Sequence, residues 1–242
     1  MPIISIVTIV FNDSSGIENT IKSVLNQDFE DIEYIVKDGE STDGTKDIIS
    51  SYEKDIDLII SDRDNGIYDA MNQAIDVASG EWIIFMNSGD SFISPNTLSL
   101  LYSKRSDASV IYGSILNPET GEEIKPRKLS AFWKGMPFNH QATLTKTKLY
   151  KKKNFDLKYK ISSVYDFYYH YYSNGEKFSY ANFPIAFYDM NGISAHSFKW
   201  LIDYWRINMK YSKGIRIKIL FRVFYVFLSR VKLNIKRKLS KG

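Results

Sequence analysis

Carboxylates at the ends of apolar runs are the residues of this sequence best suited to chemistry. Asp90 ends the segment 81–90, in which the bulky apolar run from Trp82 to Met86 is followed by Asn-Ser-Gly. Such a run is typical of a central strand of a parallel sheet, and these sheets bind ligands just beyond the carboxyl ends of their strands. A carboxylate there could hold Mg²⁺ or Mn²⁺ bridging phosphate oxygens. The alternative is a turn that only ends the strand, because Asn, Ser, Gly and Asp are common turn residues.

The elements that would position these residues alternate between strands and helices. Strand patterns at 2–10, 33–36 and 57–60 are each followed by a helix pattern, and the last helix leads into the strand before Asp90. This order with short connections indicates a right-handed α/β sheet. Polar loops follow the three strands at Asn12, Asp38 and Arg63. The architecture is of a nucleotide-binding type, but it cannot by itself name a reaction.

The composition describes a folded chain without thiol chemistry. The 242 residues are 44% hydrophobic and 15% aromatic, which is enough to build a substantial core, and they include no Cys. Disulfides, thiolate metal sites and cysteine nucleophiles are therefore excluded. No basic leader precedes the first apolar strand, so we expect no secretory signal and a cytoplasmic location.

Segments 5–12, 37–45, 64–72 and 85–90 carry four motifs whose order resembles that of the inverting family 2 glycosyltransferases with the GT-A fold. The similarity covers roughly residues 3 to 195 and extends to the bacterial polysaccharide-assembly branch similar to colanic acid glycosyltransferases. It implies a mostly parallel central sheet flanked by helices, with a C-terminal helical extension. It also implies transfer of a hexosyl or N-acetylhexosaminyl group, with inversion, from a nucleotide-diphospho-sugar, a UDP-sugar in particular.

The resemblance also implies roles for individual residues. Those expected to bind the nucleotide-sugar are Thr8, Asn12, Asp38, Arg63, Asp69, Asn72, Asn87 and Ser88. Asp90 and His196 are expected to hold Mg²⁺ or Mn²⁺. His140, Gln141 and Tyr165 are expected on the acceptor side. Asp166 is expected to be the base that removes the proton of the acceptor hydroxyl.

Two motifs depart from the family pattern. The acidic pair that usually opens the second motif is Lys37-Asp38 here, so only Asp38 can bind the base or ribose. The Asp-x-Asp signature is reduced to the segment 87–90, with Asp90 as its one acid. Structural roles stay open for several candidates: Asp38 could cap its loop, Asp69 and Asn72 could brace theirs, and Asp166 could cap a helix.

The charge is unevenly distributed along the chain. Residues 199–242 carry a net charge of +12, whereas the preceding 198 residues carry −8. The uninterrupted apolar run in the basic part, 223–228, is too short to span a bilayer. We therefore expect a catalytic domain at 1–198 and a basic amphipathic helical tail at 199–242 that lies on the anionic inner face of the cell membrane. Packing of the tail on the domain or on a partner protein is the alternative, and nucleic acid is not expected because the body is acidic.

Two other functions are compatible with this type of sheet. A sugar-phosphate nucleotidyltransferase would normally have a Gly-rich basic phosphate loop after the first strand, and segment 11–16 contains no Lys or Arg. A non-catalytic sugar-nucleotide-binding assembly subunit is compatible with the reduced metal motif. The favoured prediction is a glycosyltransferase of bacterial surface polysaccharide biosynthesis that acts on a lipid-linked or growing oligosaccharide.

Overall fold

The computed structural model describes residues 2–188 and 199–212 of the chain. The strands are β1 Ile4–Val10, β2 Ile32–Asp38, β3 Leu58–Ser61, β4 Trp82–Phe85, β5 Ser91–Phe92, β6 Val110–Leu116, β7 Glu123–Ile124, β8 Thr143–Lys146 and β9 Phe178–Phe187. The α-helices are α1 Ile17–Leu25, α2 Thr45–Ser51, α3 Ile67–Val77, α4 Thr97–Ser103, α5 Thr147–Lys152, α6 Ser163–Ser173 and α7 Lys199–Tyr211. Two 3₁₀ helices lie at Leu129–Lys134 and His140–Ala142.

All the strands of the described part belong to one mixed sheet. Its order is β3-β2-β1-β4-β8-β6-β9-β5, with β7 paired to β6 outside this path. The first four strands of the path are parallel, as predicted. β8 then pairs antiparallel with both β4 and β6, whereas β6 pairs parallel with β9, so the other half of the sheet is mixed.

The strand order reverses between β1 and β4. The chain proceeds from β1 outward to β2 and β3, then returns through α3 to place β4 on the other side of β1. Ligands of open α/β sheets bind outside the carboxyl ends of the strands at such a reversal. The fold therefore points to the loops that follow β1, β2 and β4.

The sheet separates two hydrophobic clusters because alternate residues of a strand face opposite sides. In β1, Val7 and Ile9 belong to the cluster covered by α3 and α6. Ile4, Ile6 and Val10 belong to the cluster covered by α1, α2 and α4. All seven residues of β1 are buried, which accounts for the continuous β-branched run in the sequence.

Helix α7 corrects the predicted domain boundary. Its Tyr204 and Ile207 are buried members of the α6-side cluster. The Tyr204 hydroxyl donates a hydrogen bond to the carbonyl of Trp133, and the Asn208 amide donates to the Tyr165 hydroxyl at 2.9 Å. A boundary at residue 198 would cut through this packing, so residues 199–212 belong to the catalytic unit. The rest of the predicted tail, 213–242, lies outside the described residues.

None of the helices in the described part combines the length and the apolar character needed to cross a bilayer.

Candidate functional site

A cleft of about 500 Å³ lies at the carboxyl ends of the first three parallel strands. Residues from the loops after β1, β2 and β3 line it: Phe11, Gly39, Glu40, Thr42, Arg63, Asp64 and Gly66. The cleft includes two of the three loops to which the reversal of strand order points, those after β1 and β2, and the loop after β3 completes it.

The loop after β2 is held in shape by the Asp38 carboxylate. This side chain is buried and accepts hydrogen bonds from the backbone N–H groups of Glu40 and Ser41 at 3.0 to 3.2 Å. The Ser61 hydroxyl of β3 donates a further bond at 3.0 Å. These contacts match the loop-capping role left open from the sequence. Asp38 therefore acts on the cleft by shaping its wall.

The first loop contributes an exposed aromatic ring. Phe11 is 63% exposed, which is unusual for a large apolar side chain beside a sheet core. Asn12, with a left-handed φ of 51°, joins this loop to the next by accepting a hydrogen bond from the N–H of Thr42 at 2.8 Å. Gly39 allows the loops to approach, because a Cβ there would lie 3.2 Å from the Phe11 ring and 2.8 Å from an Asp64 carboxylate oxygen.

Lys37, which replaces an acid of the family pattern, has a structural explanation. Its side chain is fully buried, and its ammonium group donates to the backbone carbonyls of Asp38 and Asp62 at 2.8 and 2.5 Å. It also lies 3.4 Å from the Asp64 carboxylate. The lysine thus ties the loop after β3 to the end of β2 and fixes one wall of the cleft.

Arg63 is the cleft residue that carries an exposed cationic group. Its side chain is 91% exposed, and its guanidinium is 3.9 Å from the Glu40 carboxylate.

Two other predicted binding residues form hydrogen bonds within the protein instead of facing the cleft. Asp69 accepts from the backbone N–H and side-chain amide of Asn65, and Asn72 exchanges two hydrogen bonds of 2.9 Å with the backbone of Phe155. Asp69 and Asn72 therefore brace the structure, as the alternative for this pair anticipated.

The turn after β4 forms a second part of the site. The Ser88 hydroxyl donates to the Asp13 carboxylate at 2.6 Å, which connects this turn to the loop after β1. Thr20 of α1 donates to the carbonyl of Asp90 at 2.7 Å. Asn87 is buried, and its side-chain oxygen has no hydrogen-bond partner. A buried oxygen in this state indicates a missing partner, because buried polar groups are otherwise almost always hydrogen-bonded.

The residues of this turn fit a weak divalent-cation site. In residues 2–188 and 199–212, no three His, Cys, Asp or Glu side chains are grouped to hold a metal. Mg²⁺, however, is commonly bound through one or two carboxylates with substrate phosphates and water. Asp90, which is buried at this turn, and the Asn87 side-chain oxygen, which has no hydrogen-bond partner, are the residues that would hold such an ion. His196, the second predicted ligand, lies outside the described residues.

His140 and Gln141 lie beside this turn. Ile84 of β4 pairs with Leu144 of β8 in antiparallel register. Asn87 follows Ile84 by three residues, and Gln141 precedes Leu144 by three residues, so both continue from the same end of this strand pair. The Gln141 side-chain oxygen and the His140 Nε2 are both buried without a hydrogen-bond partner. Burial lowers the pKa of His140 to about 4, so its imidazole is neutral near pH 7. Three buried polar atoms without a hydrogen-bond partner thus belong to the two segments that continue from the paired ends of β4 and β8.

Asp166 does not have the environment of a catalytic base. Its side chain is 0% exposed, and its carboxylate binds the Lys153 ammonium at 2.7 Å, the Lys210 ammonium at 3.2 Å and the Tyr211 hydroxyl at 3.0 Å. Burial would raise its pKa, but the hydrogen bond and charge of Lys153 and the charge of Lys210 outweigh burial and hold the pKa below its ordinary value. A carboxylate this strongly paired is a poor proton acceptor. The role of Asp166 as the base therefore stays a prediction, and the observed pairing favours the structural alternative.

Two further predicted residues lie inside the protein. The Thr8 hydroxyl is fully buried and donates to the carbonyl of Met86 at 2.8 Å, so it joins β1 to the end of β4 instead of facing the cleft. Tyr165 is buried, and its hydroxyl donates to the carbonyl of Phe132 at 2.6 Å. Neither side chain is placed to contact a substrate.

Only Arg63 of the seven cleft residues was predicted as a site residue from the sequence. The other six are Phe11, Gly39, Glu40, Thr42, Asp64 and Gly66. Phe11 directly follows the apolar residues of β1, so in the sequence it looks like one more buried strand residue. Only its position one residue past the strand distinguishes it from the buried residues. The signal that could have found it is an aromatic residue placed directly before Asn12 and Asp13 in a predicted ligand-side loop.

Solved structures of similar fold bind nucleotides. Staphylococcus aureus TarS in complex with UDP superposes with a TM-score of 0.66 over 85% of this chain and 64% of that chain, at 19% identity. A mannosyltransferase from Pyrobaculum calidifontis in complex with GDP-Man and Mn²⁺ gives a TM-score of 0.71 over 92% and 69%, at 14% identity. These neighbours are GT-A glycosyltransferases, which confirms the predicted fold class.

Curated relatives match shorter segments. A Mycobacterium tuberculosis protein described as an uncharacterized glycosyltransferase is 41% identical over 99 residues, which are 40% of this chain and 38% of that protein. The Campylobacter jejuni GalNAc(5)-diNAcBac-PP-undecaprenol beta-1,3-glucosyltransferase is 32% identical over 129 residues, or 52% and 42%. The chain thus matches less than half the length of these relatives, and the colanic acid type stays a prediction. The family 2 glycosyl transferase pattern matches residues 5–175, well over half of the sequence, and the chain therefore belongs to glycosyl transferase family 2.

Proposed function

We propose that this protein transfers a hexosyl or N-acetylhexosaminyl group from a nucleotide-diphospho-sugar, a UDP-sugar in particular, to a hydroxyl of a lipid-linked or growing oligosaccharide. Transfer proceeds with inversion by a single in-line displacement, in the assembly of a bacterial surface polysaccharide. The observation that carries the proposal is the cleft at the carboxyl ends of β1 to β3, with an exposed aromatic ring and an exposed guanidinium at its edge.

The nucleobase is assigned to the Phe11 side of the cleft. An exposed aromatic face stacks on a base with a free energy of about 1–3 kcal/mol. Gly39 has no side chain to fill the space beside Phe11. Hydrogen bonds of Asp38 and Asn12 hold the loops that border this space. Selection between uracil and guanine then depends on the backbone groups of the loop after β2.

The diphosphate is assigned to Arg63 and the turn after β4. The exposed guanidinium can pair with phosphate oxygens, since its contact with Glu40 is long and solvated. A Mg²⁺ or Mn²⁺ ion held by Asp90 and Asn87 would supply positive charge to the leaving diphosphate. Ser88, held by Asp13, keeps this turn against the loop after β1.

The acceptor side is assigned to His140 and Gln141. Their unpaired polar atoms can bind sugar hydroxyls without first breaking an internal hydrogen bond. A neutral His140 can accept or donate a hydrogen bond, which suits a hydroxyl better than it suits a phosphate. A lipid-linked acceptor is supported by the name of the Campylobacter relative, which acts on an undecaprenol-linked glycan.

The basic segment 213–242 supports a location on the inner face of the cell membrane. It contains ten Lys or Arg and no acid, interleaved with the apolar and aromatic run 217–228. A segment of this composition binds anionic lipid surfaces as an amphipathic helix. Such binding would bring the cleft close to a lipid-linked acceptor.

Donor binding tests the proposal directly, and Phe11→Ala is the decisive variant. UDP, UDP-glucose, UDP-N-acetylglucosamine and GDP-mannose are titrated calorimetrically with and without Mn²⁺. The wild type should bind at least one of them, and Phe11→Ala should weaken that binding roughly 5- to 150-fold, because the loss of one base-stacking contact costs about 1–3 kcal/mol.

Leu100→Ala is the matched control. Leu100 is an exposed apolar residue of α4, away from the cleft, so its replacement should leave donor affinity unchanged. A wild-type protein that binds none of these nucleotides would contradict the proposal. Equal affinities of the wild type and Phe11→Ala would remove the nucleobase from this side of the cleft.

A further inference from the structure

Asp64 is a carboxylate of the cleft to which the proposed function gives no role. It belongs to the loop after β3, lines the cleft and keeps 15% of its side chain exposed. Its Oδ1 accepts a hydrogen bond from the N–H of Gly66 at 2.9 Å. Its Oδ2 takes part in one hydrogen bond within the described residues, a long one of 3.4 Å from the Lys37 ammonium. Because a carboxylate oxygen has two acceptor sites, Oδ2 can accept a further hydrogen bond from a ligand.

Asp38, the acid that the sequence pattern assigns to the nucleoside, is fully occupied by comparison. It is 1% exposed, and both of its oxygens accept hydrogen bonds from protein groups. The donors are the backbone N–H groups of Glu40 and Ser41 and the Ser61 hydroxyl. A ligand hydroxyl would have to displace one of these donors to reach Asp38, whereas Asp64 is already at the surface of the cleft.

The Asp64 carboxylate and the Phe11 ring approach the same point beside Gly39. A Cβ built on Gly39 would lie 2.8 Å from Asp64 Oδ2 and 3.2 Å from Cδ2 of Phe11. Since the two distances share one end, these two atoms are no farther apart than the sum of the distances. A nucleoside whose base stacks on Phe11 is large enough to bring its ribose to Asp64.

The buried Lys37 ammonium fixes the position of this carboxylate. Lys37 is anchored by the backbone carbonyls of Asp38 and Asp62 at 2.8 and 2.5 Å, so it presents a stationary positive charge to Asp64. Hydrogen bonds accepted by an ionised carboxylate are about twice as strong as those between neutral groups. A sugar hydroxyl that donates to Asp64 would therefore gain more than one that donates to a neutral oxygen.

We propose that Asp64 binds the ribose hydroxyls of the nucleotide-sugar and makes the cleft selective for ribonucleotides, an inference that rests on the proposed function. In α/β sheets that bind dinucleotides, a carboxylate likewise accepts a hydrogen bond from a ribose hydroxyl. Here the role falls to the loop after β3, because Asp38 is occupied in shaping the loop after β2. The 2′- and 3′-hydroxyls donate, and the carboxylate accepts.

The test measures how strongly the full chain prefers ribonucleotides over their deoxy analogues. UDP and GDP are titrated calorimetrically beside their 2′-deoxy and 3′-deoxy forms, with Mn²⁺ present, into the wild type and Asp64→Asn. Asp62→Asn is the matched control, since Asp62 is an exposed carboxylate of the same loop that is not among the cleft residues. Glu40→Gln is the second comparison, since Glu40 lines the cleft but pairs with Lys46 and Arg63 at 3.3 and 3.9 Å.

The wild type should bind UDP or GDP roughly 10- to 150-fold more tightly than the deoxy analogues, because each analogue lacks a hydrogen bond to a charged group. In Asp64→Asn this preference should fall to about threefold or less, since the neutral amide accepts a weaker bond. Asp62→Asn should match the wild type with every nucleotide. Glu40→Gln should keep the preference even if all affinities change together.

Asp64→Asn leaves the buried Lys37 ammonium without its carboxylate, which could lower stability. The double variant Lys37→Met/Asp64→Asn removes both charges and should show the same loss of preference. The preference of the wild type is measured without any substitution, so the proposal stays testable if neither variant folds.

A wild type that binds a ribonucleotide and its deoxy analogues within about threefold of one another would overturn the assignment. Equal weakening of all nucleotides by Asp64→Asn, with the preference intact, would make Asp64 only a structural partner of Lys37 and would also overturn it. Loss of the preference in Glu40→Gln alone would place the ribose at Glu40 instead. Failure of the wild type to bind any of the nucleotides would remove the proposed function itself, so the two failures are distinguishable.

Discussion

The ion pairs of Asp166 show how one buried residue organises its surroundings. Its carboxylate joins α6 to Lys153, just beyond α5, and to Lys210 and Tyr211 of α7. Breaking a buried pair by removing one partner costs more than the pair contributes, because the other charge remains without compensation. Asp166 is therefore placed to affect stability strongly.

Asp166→Ala should lower the free energy of unfolding by about 3–5 kcal/mol. The folded-state pKa of Asp166 lies below its ordinary value of 3.8, so its stabilising effect is present above that pH and is lost as the pH falls through the folded-state pKa. The difference between wild type and variant should accordingly be full at pH 7 and shrink in the acid range. Urea unfolding at several pH values measures it.

Asp156→Ala is the control for this effect. Asp156 also pairs with a lysine, but both side chains are partly exposed, and such pairs contribute about 0–1 kcal/mol. If the two variants lose the same stability, the buried network around Asp166 is not the reason.

The sequence could not distinguish a catalytic from a structural role for Asp166, because a local pattern contains only neighbouring residues. A carboxylate near the start of a helix looks the same whether it faces a cleft or two lysines. Lys153 and Lys210, which decide between these cases, are 13 and 44 residues away.

At the scale of elements, strands β1 to β4 and helices α1 and α3 could be predicted from the sequence. Their apolar residues repeat with the period of a strand or a helix, and their ends coincide with Gly, Asn or Asp. The mixed half of the sheet could not be predicted in the same way, because pairing of β6 with β8 and β9 joins segments separated by long connections.

Helix α7 was assigned to a separate tail because its basic residues dominated its composition. The structure instead shows an amphipathic helix with Tyr204, Ile207 and Asn208 buried against the rest of the protein. Charge counted over a long segment therefore concealed a buried face of only a few residues.

Ile207→Ala tests whether α7 is part of the core. Ile207 is 0% exposed, so its truncation should lower the free energy of unfolding by about 2–5 kcal/mol. Ile202→Ala on the same helix is the control, because Ile202 is 55% exposed and its loss should cost about 0.5 kcal/mol or less. Urea unfolding compares them, and equal losses would mean that α7 does not pack as described.

At the scale of the whole molecule, charge is unevenly distributed along the chain, and we expect the acidic and basic parts to have different partners. The acidic body, at −8 over residues 1–198, would be repelled by an anionic membrane, whereas the segment 213–242 carries ten basic residues and no acid. Each Lys or Arg held near an anionic surface contributes about 1 kcal/mol of attraction. This attraction decays over about one Debye length from the surface. We therefore expect the basic segment to bind an anionic membrane despite the acidic charge of residues 1–198.

Vesicle sedimentation of the full chain and of a chain ending at residue 212 tests this. The shorter chain keeps α7, whose removal would expose the core, so any difference reports on the basic segment alone. The full chain should sediment with vesicles containing phosphatidylglycerol but not with pure phosphatidylcholine, and added salt should release it.

A full chain carrying Lys236→Gln, Arg237→Gln and Lys238→Gln should bind more weakly, since three charges are removed without changing the apolar run. Equal sedimentation of the two chain lengths would show that the catalytic unit itself binds the lipid and that the segment 213–242 is not the membrane anchor.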